Sequence, residues 1–435
     1  MSRSRRRSSI LHRNRWPLSA VALWRKILCF AVVFLLYSPP AYAYLDPGTG
    51  SALVYVIIGI LLSAYFALRG LYHKTLELIF RIRFKNRKCT LAIHSEDPRY
   101  ESTFLPVIRA LARRNRAFSY FTMYERDGSF EPLPSQATHQ TIPPGLVGYS
   151  YLNHLEAKLV LTTTPQLDVM TFRRSRRVKH YGYLSHALGE ARYTRPFAFE
   201  FFDTVFCCGP LLKDNIRTLE RVRGMPAKQL LETGIPHYDE LARHASSDER
   251  SDDRPTVLIA PSWGPMSLFQ VFGTGFVRQV AERYPVVVRP HPQMKISQAG
   301  LYEEILRIDG VTVDTAPSPS AVMSRAAILV SDISGIIYEF VFIHEKPVII
   351  VDHKVGVEGL EGHLLGDTVS LREHCREFIV GLDPSDMPNL VDCIADVLAR
   401  GLSARIAEAR ERFVYHYGRA GEVAADQIEE ILRCV

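Results

Sequence analysis

The chain has little with which to build a metal site or a disulfide framework. Its seven cysteines include no C-x-x-C pair, and no Cys/His spacing of the zinc-binding kind appears. Cys29, Cys89, Cys207, Cys208, Cys375, Cys393 and Cys434 are scattered, which suits buried thiols in a reducing compartment. No D-x-D run is present, so the usual sequence signature of a metal-held nucleotide is missing, although Mg²⁺ assistance stays open. Internal repeats and low-complexity tracts are also absent, which excludes solenoids and disordered arrays. Acids are missing from the first 26 residues, which hold eight Arg and Lys. Subtracting those eight from the net charge of +7 leaves −1 for the rest. The basicity is therefore local, and a nucleic-acid partner is not expected.

What is present begins with targeting. A basic stretch up to Lys26 precedes an apolar run at 27–37, a Ser38-Pro39-Pro40 break and Ala41-Tyr42-Ala43. That is the layout of a secretory signal peptide over 1–43, with an uncleaved signal anchor as the alternative. A second apolar run, 51–68, carries no charge and as a helix rises about 27 Å, enough to cross the hydrocarbon core. Arg69, Lys74, Arg81, Arg83, Lys85, Arg87 and Lys88 follow it against the single acid Glu77. This asymmetry places the following chain in the cytoplasm, tethered by one span of the inner membrane, with Tyr44 to Gly50 as a short outer turn. A buried soluble helix is the competing reading of the second run.

From residue 89 onward, short β-branched runs alternate with helical patterns. The runs at 89–93, 118–123, 158–163, 178–184, 204–208 and 230–233 read as strands. A polar, proline-ended stretch at 244–255 reads as a linker, after which strands resume at 256–260, 286–289, 327–330 and 348–351. Continuous rather than alternating apolar runs indicate strands buried on both faces, hence parallel sheets. The expected fold class is α/β, with two Rossmann-like doubly wound domains facing a cleft. Domains are expected at 89–245 and 255–402, after a transmembrane and juxtamembrane segment at 44–88. An amphipathic helical pattern over 403–435 is placed to pack back across the junction.

Four segments fall at the C-terminal ends of these strands, where open parallel sheets bind ligands. In Ser185-His186-Ala187, His186 has the side chain suited to a general base for a hydroxyl acceptor, against the commoner structural role of a lone histidine. Ala260-Pro261-Ser262-Trp263-Gly264-Pro265 leaves backbone groups free to meet a nucleotide, or is a rigid turn. Arg289-Pro290-His291-Pro292 holds a guanidinium and an imidazole stiffly at a strand end, suited to a diphosphate. Ser331-Asp332-Ile333-Ser334-Gly335 leads into a helix bearing Glu339. Its free N–H groups suit phosphate, with an ordinary helix cap as the alternative. Beside these, Arg173 to Lys179 forms a basic run that reads as a solvated loop or as an attractor of anionic lipid or polyanionic acceptor.

The last three of these segments, with Glu345-Lys346-Pro347, resemble the CDP-glycerol glycerophosphotransferase family of teichoic-acid-polymerase-type enzymes. Phe202 to Pro210 and Glu232 to Asp239 are similar to its N-terminal half, so the likeness runs in order over 178–355. It implies a GT-B-like fold, a CDP-alcohol donor such as CDP-glycerol, and a lipid-linked glycan or polyol-phosphate acceptor at the membrane. Carried over, it implies that His186 is the acceptor base and that Arg289 and His291 meet the donor phosphates. Pro261, Ser262, Ser331, Asp332, Ser334 and Gly335 then line the donor site, and Glu339 contacts ribose. No lysine follows the His186 motif, and Ile333 stands where an aromatic is frequent, which bears on donor and acceptor identity. Two rivals share the segments: a GT-B glycosyltransferase using a sugar nucleotide, and a membrane-tethered nucleotide-binding module without catalysis.

Overall fold

The computed structural model describes residues 47–83, 88–245, 254–316, 318–332, 334–351 and 359–435. The expected signal peptide, most of the linker, Ile333 and Asp352 lie outside the described residues. The chain divides into two compact units, 1–78 and 79–435.

In the first unit a helix begins at Pro47 and runs on to Arg83. It takes in Pro47 to Gly50, expected as a turn, because proline lacks only an N–H that a first helical turn leaves unbonded anyway. Val54–Tyr72 is a 19-residue stretch long and apolar enough to span a membrane, and none of it is buried.

The second unit holds two parallel sheets. β1 (Lys88–Ser95), β2 (Phe118–Thr122), β3 (Ala137–Thr141), β4 (Glu156–Thr162), β5 (Val178–Leu184), β6 (Thr204–Cys207) and β7 (Gln229–Glu232) form the first, in order β3-β2-β1-β4-β5-β6-β7. β8 (Val257–Ile259), β9 (Val286–Val288), β10 (Thr312–Val313), β11 (Ile328–Ser331), β12 (Val348–Val351) and β13 (Ile379–Leu382) form the second, in order β10-β9-β8-β11-β12-β13. Every pairing is parallel, as the uninterrupted burial of β6, β8, β11 and β12 requires. Each sheet reverses its winding once, between β1 and β4 and between β8 and β11. Three strands escape the sequence pattern. β3 is a polar edge strand (ATHQT), β10 has two residues, and β13 holds a glycine at its centre.

The C-terminal amphipathic pattern is two helices, Ser403–Phe413 and Ala420–Cys434. Val414 is extended and Gly418 has φ +77°, which a continuing helix does not allow. The connecting chain passes β6, where Tyr415 N–H donates to Cys208 O at 3.0 Å. A Cβ on Gly209 would stand 2.0 Å from Phe413 O, and one on Gly234 2.0 Å from Tyr415 O. Those two motif glycines therefore admit the returning backbone. Asp239 then accepts from the N–H groups of Ala420 and Gly421 at 3.2 and 2.8 Å, capping the last helix. That helix buries Ala424, Ala425, Ile428 and Leu432 against Leu91, Ile93, Phe104 and Ile108 of the first sheet's layer. Arg114 and Arg116 meet Asp426 and Glu429 around its rim.

Burial has a further consequence. His94 is held down to about 3, and His186 and His344 to about 4, in each case first by desolvation. A histidine whose pKa is lower folded than unfolded contributes stability that is complete above the unfolded value near 6.5. That stability is lost as pH falls toward the folded one. Asp239, pushed up to about 6 by burial, acts in the opposite sense by one proton. Between pH 6.5 and 4 the histidines outnumber it, so the urea midpoint is expected to fall as pH drops through this window. A midpoint that stays flat from pH 7 to 5 overturns this expectation.

Candidate active site

Ligands of open parallel sheets bind where the winding reverses, beyond the carboxyl ends of the strands. In the second sheet that point lies between the loops after β8 and β11. In the first it lies after β1, with the loop after β5 nearby. These loops line one cleft of about 470 Å³. The second sheet contributes Pro261, Arg289, His291, Ser334, Gly335 and Glu339, and the first contributes Arg99, Tyr100, His186 and His237. Seven expected residues therefore share the cleft, whereas Ser262, Ser331 and Asp332 are not part of its lining.

Those three build the wall from behind. Ser331 is fully buried, and its hydroxyl donates to Ala260 O at 2.7 Å, tying β11 to the end of β8. Asp332, 1% exposed, accepts from Ser262 N–H at 2.7 Å and from Leu268 N–H at 2.8 Å. One carboxylate thus clamps both ends of the loop that carries Trp263. A short side chain at a strand end, expected to face phosphate, here satisfies backbone donors that would otherwise be buried unpaired.

Gly335 is exposed at the N-cap of the nine-residue helix Ile336–His344, with open space beside its Cα. The first N–H groups of this helix have no intrahelical acceptor and favour negative charge. Arg289 is committed more tightly than its sequence suggests. Its guanidinium pairs with Asp314 and donates to Ala316 O at 2.9 Å. His291 Nδ1 accepts from Gln293 N–H at 3.1 Å, so the neutral ring carries its proton on Nε2. Burial first, then Arg99, keeps this ring below its ordinary pKa.

On the opposite wall Tyr100 packs its ring 4.7 Å from that of His186. His186 Nδ1 is buried without a hydrogen-bond partner among the described residues. Desolvation, then His237 and Arg99, lowers its pKa to about 4, leaving a neutral imidazole with one proton-accepting nitrogen at pH 7. His237 Nε2 stands 3.6 Å from Glu339 Oε1, so the residue expected at a ribose faces a histidine from the first sheet's side. Arg99, held by Asp97 at 2.9 Å, is the cation that sequence reading missed. It follows β1 at the first sheet's winding reversal, a position that only the strand order reveals.

A second cavity of about 300 Å³ shares Ser334 and Gly335 with the cleft. Leu188, Tyr193, Tyr338 and Ile350 give it apolar walls. The basic run at 173–179 is largely spent locally. Arg174 pairs with Asp203 at 2.8 Å, Arg177 donates to His154 O at 3.0 Å, and Arg173 donates to Asp168 O at 2.9 Å.

Two doubly wound parallel sheets with ligand loops converging on one cleft define a GT-B-like enzyme architecture. Residues 213–355 match the family model described as CDP-Glycerol:Poly(glycerophosphate) glycerophosphotransferase, so the likeness read from the motifs holds. The chain thus carries that family's segment over residues 213–355 of its 435. The matched segment includes Arg289, His291, Gly335 and Glu339 and begins after His186. No curated protein matches the chain. Among solved structures, the wall teichoic acid polymerase TagF with CDPG superposes with a TM-score of 0.55 at 12% identity, covering 86% of this chain and 96% of that one. A second TagF structure gives 0.53 at 13%, over 79% and 89%. A putative UDP-N-acetylglucosamine 2-epimerase from Listeria monocytogenes gives 0.55 at 13%, over 80% and 98%. At these identities the likeness speaks for the fold.

Proposed function

We propose that this chain moves glycerol phosphate, or a similar polyol phosphate, from a CDP-alcohol to a hydroxyl of a lipid-linked glycan or polyol-phosphate acceptor, releasing CMP. The observation that carries the reading is one cleft holding a neutral, desolvated His186 opposite His291 and the Ser334–Gly335 helix start. His186 takes the acceptor's proton as its oxygen bonds to the polyol-bearing phosphorus. The bond from that phosphorus to the bridging oxygen breaks, and CMP leaves with the electron pair. Such transfer depends on positioning and on spreading negative charge. The Nε2–H of His291 and the helix N–H groups donate to the phosphoryl oxygens, and Arg289 and Arg99 add positive potential from either side. The cavity walled by Tyr193 and Tyr338 receives the nucleoside. Val54–Tyr72 anchors the enzyme in the inner membrane, and the basic residues after it keep the cleft in the cytoplasm.

The test is purified full-length protein in detergent with CDP-glycerol, CDP-ribitol or a UDP-sugar and a lipid-linked acceptor. CMP release from a CDP-alcohol is expected. Turnover of a UDP-sugar alone would move the reading to sugar transfer, and no binding of any nucleotide would favour a silent module.

A further inference from the structure

We propose that the chain holds a second anion site, for a phosphate ester, at the opposite end of the second sheet from the cleft. A cavity of about 350 Å³ lies there, where β8, β11 and β12 begin. Pro255 and Thr256 before β8, Ala326 and Ala327 before β11, and Lys346 and Pro347 before β12 line it. The same strands, four residues or fewer in length, carry the cleft loops at their far ends. At about 3.3 Å per residue, roughly 10–13 Å of strand separates the two places.

Three cations from three segments, Arg254, Arg325 and Lys346, line this cavity, and among the described residues no Asp or Glu does. Lys346 Nζ donates to Met323 O at 3.3 Å and to Ser324 O, which fixes it against the segment bearing Arg325. Arg325 Nε donates to Ala321 O at 3.3 Å, and its terminal nitrogens have no acceptor among the described residues. Arg254 forms no ion pair among the described residues. Ser403, which opens an 11-residue helix, also lines the cavity, so that helix's positive end adds to the field.

Three like charges gathered at one concave, partly apolar space focus a positive potential that draws an anion. Guanidinium groups match phosphate oxygens in geometry as well as charge. The volume suits a phosphate carrying a small organic group rather than a bare halide. The cavity shares no lining residue with the cleft, so occupancy of one does not block the other, and this inference stands apart from the transfer chemistry.

Calorimetric titration of the full-length protein in detergent tests it, with glycerol 3-phosphate and dioctanoyl phosphatidylglycerol as the soluble and lipid-headgroup probes. The Arg254→Ser/Arg325→Ser double variant, both positions being exposed, is expected to keep the wild-type unfolding midpoint. It is expected to lose affinity about tenfold or more for whichever probe binds, as removal of charge-assisted contacts implies. His291→Ala, altered only in the cleft, is expected to retain that binding. The probe that the double variant loses identifies the source of the phosphate. Undiminished binding by the double variant of the probe that wild type binds overturns the proposal, as does failure of both probes to bind the wild type.

Discussion

Replacing His186 with alanine is expected to slow transfer from CDP-glycerol by about 10²- to 10⁴-fold, the range that a positioned acid–base group contributes. Nucleotide binding should survive, because His186 lies outside the lining of the proposed nucleoside cavity, and His291 and the Ser334–Gly335 turn belong to the other sheet. The same reasoning fixes a pH signature. The free protein holds His186 near 4, so kcat/KM should fall as pH drops through that value and the base takes up a proton. A bound diphosphate brings negative charge to the ring and raises its pKa, so the acid limb of kcat should lie at higher pH than that of kcat/KM. Arg99 lowers the pKa of both His186 and His291, and its removal should move both limbs upward. Unchanged turnover in His186→Ala and in His291→Ala would sink the assignment.

A second large effect is expected at Asp332, which borders the proposed nucleoside cavity but whose carboxylate is engaged by two backbone donors. Alanine there leaves the buried N–H groups of Ser262 and Leu268 without their acceptor. Two charge-assisted bonds lost in the interior amount to about 3 kcal/mol or more of stability. The loop between them should loosen, lowering donor affinity as a secondary result. Asp332→Asn retains one acceptor oxygen and should fall between. Urea denaturation and nucleotide titration on the same preparations separate the causes. A normal unfolding midpoint with greatly reduced nucleotide affinity would return Asp332 to direct contact.

The strands and the cleft were legible because they rest on local signals. β-branched runs buried on both faces announce parallel strands, and chemistry-bearing residues at strand ends announce the binding edge. His186, His291, Ser334 and Gly335 meet for that reason. What a residue touches once there is a tertiary matter. Neither the hydroxyl bond of Ser331, nor the two backbone donors of Asp332, nor the Asp314 partner of Arg289 leaves a trace in linear spacing. Arg99 escaped because β1 becomes a neighbour of β4 only when the sheet is assembled. The 202–210 and 232–239 motifs carry a family likeness in sequence, but only the structure shows that Gly209 and Gly234 make room for a backbone some 200 residues downstream.

That late backbone bears on how the protein is made. The first sheet's layer lacks Ala424, Ile428 and Leu432 until the ribosome has delivered the final helix, and the contact of Arg114 with Asp426 spans 312 residues. During synthesis, Leu91, Ile93 and Phe104 therefore wait with one side uncovered while the whole second sheet is translated. Closing so long a loop is slow, and apolar surface left open in the meantime invites aggregation. A chain interrupted shortly before residue 420 would emerge with its second sheet complete and its first half exposed to chaperones and proteases.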